Sequence, residues 1–114
     1  IYTVNKARSK KIFQGKIKEK KIPCKKLTTI LDESFYKDKI IDLLNIDAEG
    51  HDLDVLKSLN FERYMPKVIC IEIFPDEGNF KNFNLKGTPS YKFLTNKKYK
   101  LYWSGFFSHI FIKR

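Results

Sequence analysis

The densest run of polar chemistry in this chain is Ile46-Asp47-Ala48-Glu49-Gly50-His51-Asp52. Asp47 can orient or deprotonate a hydroxyl, Glu49 adds a second carboxylate, and His51 is the side chain naturally poised as a base near neutral pH. Gly50 permits a tight turn or the close approach of a ligand. The Asp-x-Glu-x-His spacing also allows metal ligation, but Cys24 and Cys70 do not group with it and the remaining ligands would have to come from elsewhere, so no metal is assigned. Glu72, near the end of the apolar run 68–74, is a second acid at a strand end. Plainer roles stand beside these. A strand-end Asp often caps the next helix, a strand Glu often pairs with a lysine, and His51 fits an exposed first-turn position. His109, among aromatic neighbours in the last apolar stretch, reads as structural.

The elements that must position these groups follow from apolar spacing. Residues 40–46 (IIDLLNI) form a nearly continuous apolar run of strand length, and residues 68–74 (VICIEIF) a second, more β-branched one. Between them Leu53, Leu56 and Leu59 keep helical spacing within 51–64, with Asp52 and Asp54 in the first turn, where carboxylates suit the positive end of the helix dipole. Strand, helix, strand makes a βαβ unit, right-handed in nearly every known case, so the two strands should be parallel and end at one edge. Asp47 and Glu72 then meet where open α/β sheets bind their ligands.

Upstream, residues 1–21 are lysine-rich, with Ile12, Phe13 and Ile17 marking one strand and its approach, and Ile22-Pro23-Cys24 reads as extended. Leu27, Ile30, Leu31 and Phe35 then fit a short helix with Thr28 or Thr29 near its start. Downstream, residues 75–90 form a long loop in which Phe80 and Phe83 either line an acceptor pocket or, as loop aromatics more often do, pack against the body of their own domain, the reading preferred here. Thr88-Pro89 has the pattern of an N-cap with Pro at the first helical position, opening a helix over 89–96. Residues 99–103 and 107–112 make an antiparallel hairpin around Ser104-Gly105.

A length of 114 residues, 42% apolar, suits one domain spanning 1–114. No apolar run approaches the roughly 18 residues of a membrane span, and the start lacks the order of a secretion signal. Two cysteines, one inside an apolar run, suggest buried thiols in a reducing, cytoplasmic compartment rather than a disulfide framework. The net charge of +10 is unevenly spread: residues 1–26 hold ten basic residues and one acid, 27–80 hold five and twelve, and 81–114 hold eight and none. Only Arg8, Arg63 and Arg114 are arginine, whereas phosphate and base readout leans on Arg forks, so the lysines read as solvated faces and argue against a nucleic-acid partner. A basic nucleic-acid-binding domain is the alternative function.

The stretch IDLLNIDAEGHDLDVLKSL followed by PKVICIEI resembles the FkbM-type family of S-adenosylmethionine-dependent methyltransferases. That family's pattern is an apolar residue, then Asp-x-Glu-Gly-x-(Glu/Asp) after a strand, then a helix, a Pro and an apolar strand ending in Glu-Ile. Leu27-Thr28-Thr29-Ile30-Leu31-Asp32 is similar to the short helix placed before that strand, and the likeness runs from about residue 22 to 114. The resemblance implies an α/β fold: the C-terminal half of a Rossmann-like class I methyltransferase sheet, parallel strands plus a terminal antiparallel hairpin. It implies S-adenosylmethionine as cofactor, with Asp47 and Glu49 near the methyl-transfer site and Asp47 touching the donor. The family's Gly-rich donor turn is expected before Ile1, since no G-x-G occurs in the chain. The implied reaction is O-methylation of a small-molecule or glycan hydroxyl, with Asp47, Glu49 and His51 as the catalytic set and Glu72 and Phe80 against the acceptor. His51 stands where relatives vary, so its role rests on its own chemistry. The complete protein is expected to be the active enzyme and this chain alone inactive; a catalytically dead methyltransferase-like domain is a further alternative.

Overall fold

The computed structural model describes residues 15, 16, 18–75 and 80–114, and the strand expected around Ile12, Phe13 and Ile17 lies outside them. In chain order the elements are α1 (Leu27–Asp32), β1 (Leu43–Ile46), α2 (Asp52–Lys57), β2 (Val68–Glu72), two 3-10 turns (Phe80–Asn82 and Leu85–Gly87), α3 (Pro89–Asn96), β3 (Tyr99–Ser104) and β4 (Ser108–Lys113). They build a mixed α/β structure around a four-stranded sheet of order β1-β2-β4-β3. β1 and β2 run parallel with Leu43 opposite Val68 and Ile46 opposite Ile71, as the βαβ reading requires. The expected hairpin is present: β4 pairs antiparallel to both β2 and β3.

Alternation along the strands sends Leu44, Ile46, Ile69, Ile71, Phe111 and Leu101 to one face, where the core sits. Leu56 and Leu59 from the α2 region, Phe61, and Leu94 of α3 close over it. Burial of each such Leu, Ile or Phe contributes about 1.5–3 kcal/mol, which is why these short elements hold. The Tyr99 ring is fully buried; its hydroxyl donates to the Pro66 carbonyl at 2.5 Å, and burial pushes its pKa up to about 12. The other face is more open. Val68, Cys70 and Glu72 are half-buried there, so among the described residues only one face of β2 is fully closed. Cys70 sits between Asn45 and Ile110 on that outer face, and Cys24 is exposed in the lysine-rich arm, which corrects the expectation of buried thiols.

Several elements are shorter than apolar spacing suggests, because side chains take over the backbone's hydrogen bonds. α2 ends at Lys57, and Asn60 Oδ1 then accepts from the backbone N–H groups of Glu62 and Arg63, turning the chain. α1 lacks a side-chain cap of its own. Its first N–H groups are instead met from α2's end, Leu27 N donating to Ser58 Oγ and Thr28 N to the Ser58 carbonyl. Between α1 and β1, Tyr64 and Arg63 both donate to Asp32, and Arg63 reaches Asp38 as well. The hydrogen bond from Tyr64, followed by those from Arg63, holds the Asp32 carboxyl below its ordinary pKa. Asp38 itself takes φ 55° and donates its N–H to the Tyr64 hydroxyl, which fixes the end of the turn over 35–38, and β1 starts at Leu43 instead of Ile40. Among the described residues no helix is long and apolar enough to cross a membrane.

Candidate functional site

The turn from β1 into α2 is built on the carboxylate of Asp52, the first residue of α2. Its two oxygens accept from Ala48 N at 3.0 Å and Gly50 N at 3.2 Å, and the side chain is 5% exposed. The loop thereby closes on itself, with His51 N donating to the Ala48 carbonyl. The geometry demands positive φ at two successive residues, 49° at Glu49 and 94° at Gly50. Gly50 takes this without cost, whereas Glu49, with a Cβ, stores about 1–2 kcal/mol of strain that the Asp52 hydrogen bonds offset. Sequence reasoning gave Asp52 only a helix-dipole role. The signal for more was an Asp immediately after a Gly-x pair, positioned to reach back to the donors of its own turn.

Because Ile46 lies opposite Ile71, Asp47 leaves β1 directly beside Glu72, the last residue of β2, and the two carboxyls come together at the edge where the parallel strands end. Burial raises the Glu72 pKa to about 6, helped by the negative charges of Asp47, Asp52 and Glu49 and by a hydrogen bond shared with Asp47. A carboxyl of this kind can take up and release a proton near neutrality. Asp47 and Glu49 are both exposed.

His51 is directed elsewhere. Its Nδ1 lies 3.0 Å from Asp54 Oδ2, and because a carboxylate only accepts, Nδ1 is the donor and Nε2 the acceptor nitrogen of the neutral ring. His51 is the half-buried residue just before α2, so its hydrogen-bond partner belongs to its own helix, not to the Asp47–Glu72 pair. Phe80 is 60% exposed and sets its ring edge-on to Phe107, 6.3 Å between centroids, while Phe83 packs against the core and offers no lining. Among the described residues no group of three or more His, Cys, Asp or Glu could hold a metal ion.

His109 has the structural role its neighbours suggested. It is 1% exposed; Nε2 faces the Ile73 carbonyl at 3.4 Å and so carries the proton, leaving Nδ1 to accept from the Ser104 hydroxyl at 2.8 Å. Desolvation lowers its pKa. The ring thus ties β3 and β4 to the segment leaving β2, beside the carboxyl pair's edge.

No curated protein and no solved structure matches the chain. Residues 3–101 match the Methyltransferase FkbM domain, a stretch that begins earlier and ends sooner than the likeness from 22 to 114. With strand-end carboxyls paired beside a strained turn and most of its length matched, the chain belongs to the FkbM methyltransferase domain family.

Proposed function

We propose that the chain, read as a single domain and the C-terminal part of a Rossmann-like sheet, is the acceptor side of an S-adenosylmethionine-dependent methyltransferase acting on a hydroxyl of a small molecule or glycan. The observation that carries the reading is the Asp47–Glu72 pair at the shared end of two parallel strands. Asp47 and Glu72 also fit the cationic end of the donor, since carboxylates accept from its ammonium group and attract its sulfonium centre. S-adenosylmethionine, when bound, supplies a methyl group already activated for displacement.

The chain's own residues then have two tasks. Asp47 accepts the proton of the acceptor hydroxyl, and Glu72 beside it shares that proton, a carboxyl whose raised pKa of about 6 lets it do so near neutral pH. The Asp52-braced turn holds Asp47 and Glu49 still while this happens. His51, with Nε2 as an acceptor, is a second site for the proton on the turn's helical side.

Asp47→Asn in the complete protein is the test, because Asn is nearly isosteric and caps a helix about as well but cannot act as a base. Turnover with labelled donor should fall roughly a hundredfold or more, the scale of a lost general base, while calorimetry shows a much smaller loss of donor affinity, since Glu72 still faces the donor's cationic end. Normal turnover would remove the base from Asp47. His51→Gln reads the other candidate: loss of a pH-dependent limb near neutrality assigns the proton to His51, and an unchanged profile returns it to the helix surface.

A further inference from the structure

The β3–β4 hairpin carries its aromatic side chains at the same edge as Asp47 and Glu72, since Ser108, at the start of β4, lies opposite Glu72. Five rings gather there. Phe107 packs on Phe74 at 4.6 Å and on Phe106 at 4.4 Å between centroids, with Phe80 edge-on at 6.3 Å. Trp103 pairs with Ile110, which pairs with Cys70, so Trp103 stands on the outer face that also bears Glu72. Its ring lies over Gly105, where a Cβ would meet it at 2.4 Å, so only glycine admits this arrangement. Phe106 is 77% exposed, Phe80 60% and Trp103 53%, although aromatic rings ordinarily bury.

The rings are held in place by more than their own contacts. Ile73 N donates to the Phe107 carbonyl at 2.9 Å, Gly105 N to the Ser108 carbonyl at 2.9 Å, and the buried His109 bridges Ser104 to Ile73. These exposed rings are therefore a positioned surface, preorganised at low entropic cost.

We infer that this aromatic surface binds a neutral pyranose ring, stacking on its carbon face while the ring's hydroxyls reach the Asp47 and Glu72 carboxyls. The inference rests on the methyltransferase reading and names its acceptor class. A saturated sugar ring offers polarised C–H bonds to the negative faces of aromatic rings and hydroxyl donors to carboxylates. The local charge favours this occupant over an anionic membrane surface. Residues 102–112 contain no Lys, Arg, Asp or Glu, and the hairpin's basic residues, Lys100 and Lys113, flank its opposite end. Carboxyls beside the rings repel phosphate headgroups.

Trp103 is the sole tryptophan, so its fluorescence reports on the surface directly. The chain is titrated with methyl glucopyranoside, methyl mannopyranoside, maltotriose and chitotriose up to about 10 mM, beyond the weak end of specific binding, and separately with phosphatidylserine vesicles. A saturable emission shift is expected with at least one sugar. Phe106→Ala should weaken it about tenfold with far-UV circular dichroism unchanged, the scale of one lost ring contact. Phe80→Ala, on a separate element, should act in the same direction, so a folding fault in the hairpin cannot mimic the result. Lys100→Ala should leave affinity intact. Silence with every sugar, a shift indifferent to both phenylalanine variants, or a response to vesicles alone overturns the inference. Sugar binding needs neither donor nor turnover, so it stands or falls separately from the Asp47→Asn experiment.

Discussion

The two faces of the sheet are made from the same kinds of residue and end in opposite states. On the inner face Ile69, Ile71, Tyr99 and Phe111 are each 0% exposed, whereas on the outer face Leu43 is 60% and Trp103 53% exposed. Both faces are read from strands that look uniformly apolar in sequence. The difference lies in what covers them: α2, α3 and Phe61 close the inner face, and among the described residues the outer face has no such lid. The groups with chemistry to offer, Asp47, Glu72 and Trp103, accompany the open face, while stability is concentrated in the closed one.

The contrast can be broken most forcefully at Ile71. Ile71→Ala should cost about 2–5 kcal/mol in urea denaturation, and a loss within about 0.5 kcal/mol would mean the inner face is not the core. His109→Ala, also on the inner face, should cost about 2 kcal/mol because the Ser104 hydroxyl and Ile73 carbonyl lose their partner. His109 also has a pH signature. Its pKa is lowered on folding, so its contribution is fully present above the ordinary histidine value and is lost as pH falls through the folded one. Melting temperatures should show an acid-side decline that flattens in His109→Ala.

The outer face predicts the opposite sign. Glu72 has its pKa raised from 4.5 to about 6, so folding disfavours its charged form and stability declines as pH rises between those values. Glu72→Gln should therefore stabilise the fold at pH 7 by up to about 1 kcal/mol after solvent screening, with the gain vanishing below pH 4.5. The smallest effect belongs to Leu43→Ala, expected within about 0.5 kcal/mol of the parent in the same denaturation series. A loss as large as that of Ile71→Ala would show the outer face to be covered.

Much of this architecture was legible from residue order. The parallel βαβ unit follows from two apolar runs around Leu53, Leu56 and Leu59, and the Thr88-Pro89 start of α3 is met to the residue, Thr88 Oγ1 accepting from Tyr91 N at 3.2 Å. The convergence of Asp47 and Glu72 was readable for the same reason, since parallel pairing fixes which ends coincide. What escaped depends on contacts distant in sequence. The trans-capping of α1 by Ser58 and the Tyr64–Asp32 link that sets the start of β1 join residues about thirty positions apart. The aromatic surface was missed except for Phe80, because a hairpin rich in phenylalanine reads as core until its register and exposure show which rings stay open among the described residues.

The sheet's two margins differ in a way that governs association. β3 carries a register shift between Leu101 and Trp103 and an exposed Lys100, both of which hinder the addition of a further strand. β1, at the other margin of the described strands, has neither a bulge nor a charged residue within Leu43–Ile46. With β1 as the open side, the larger sheet proposed above continues from Leu43–Ile46, so β1 stands between the described strands and those that would join it.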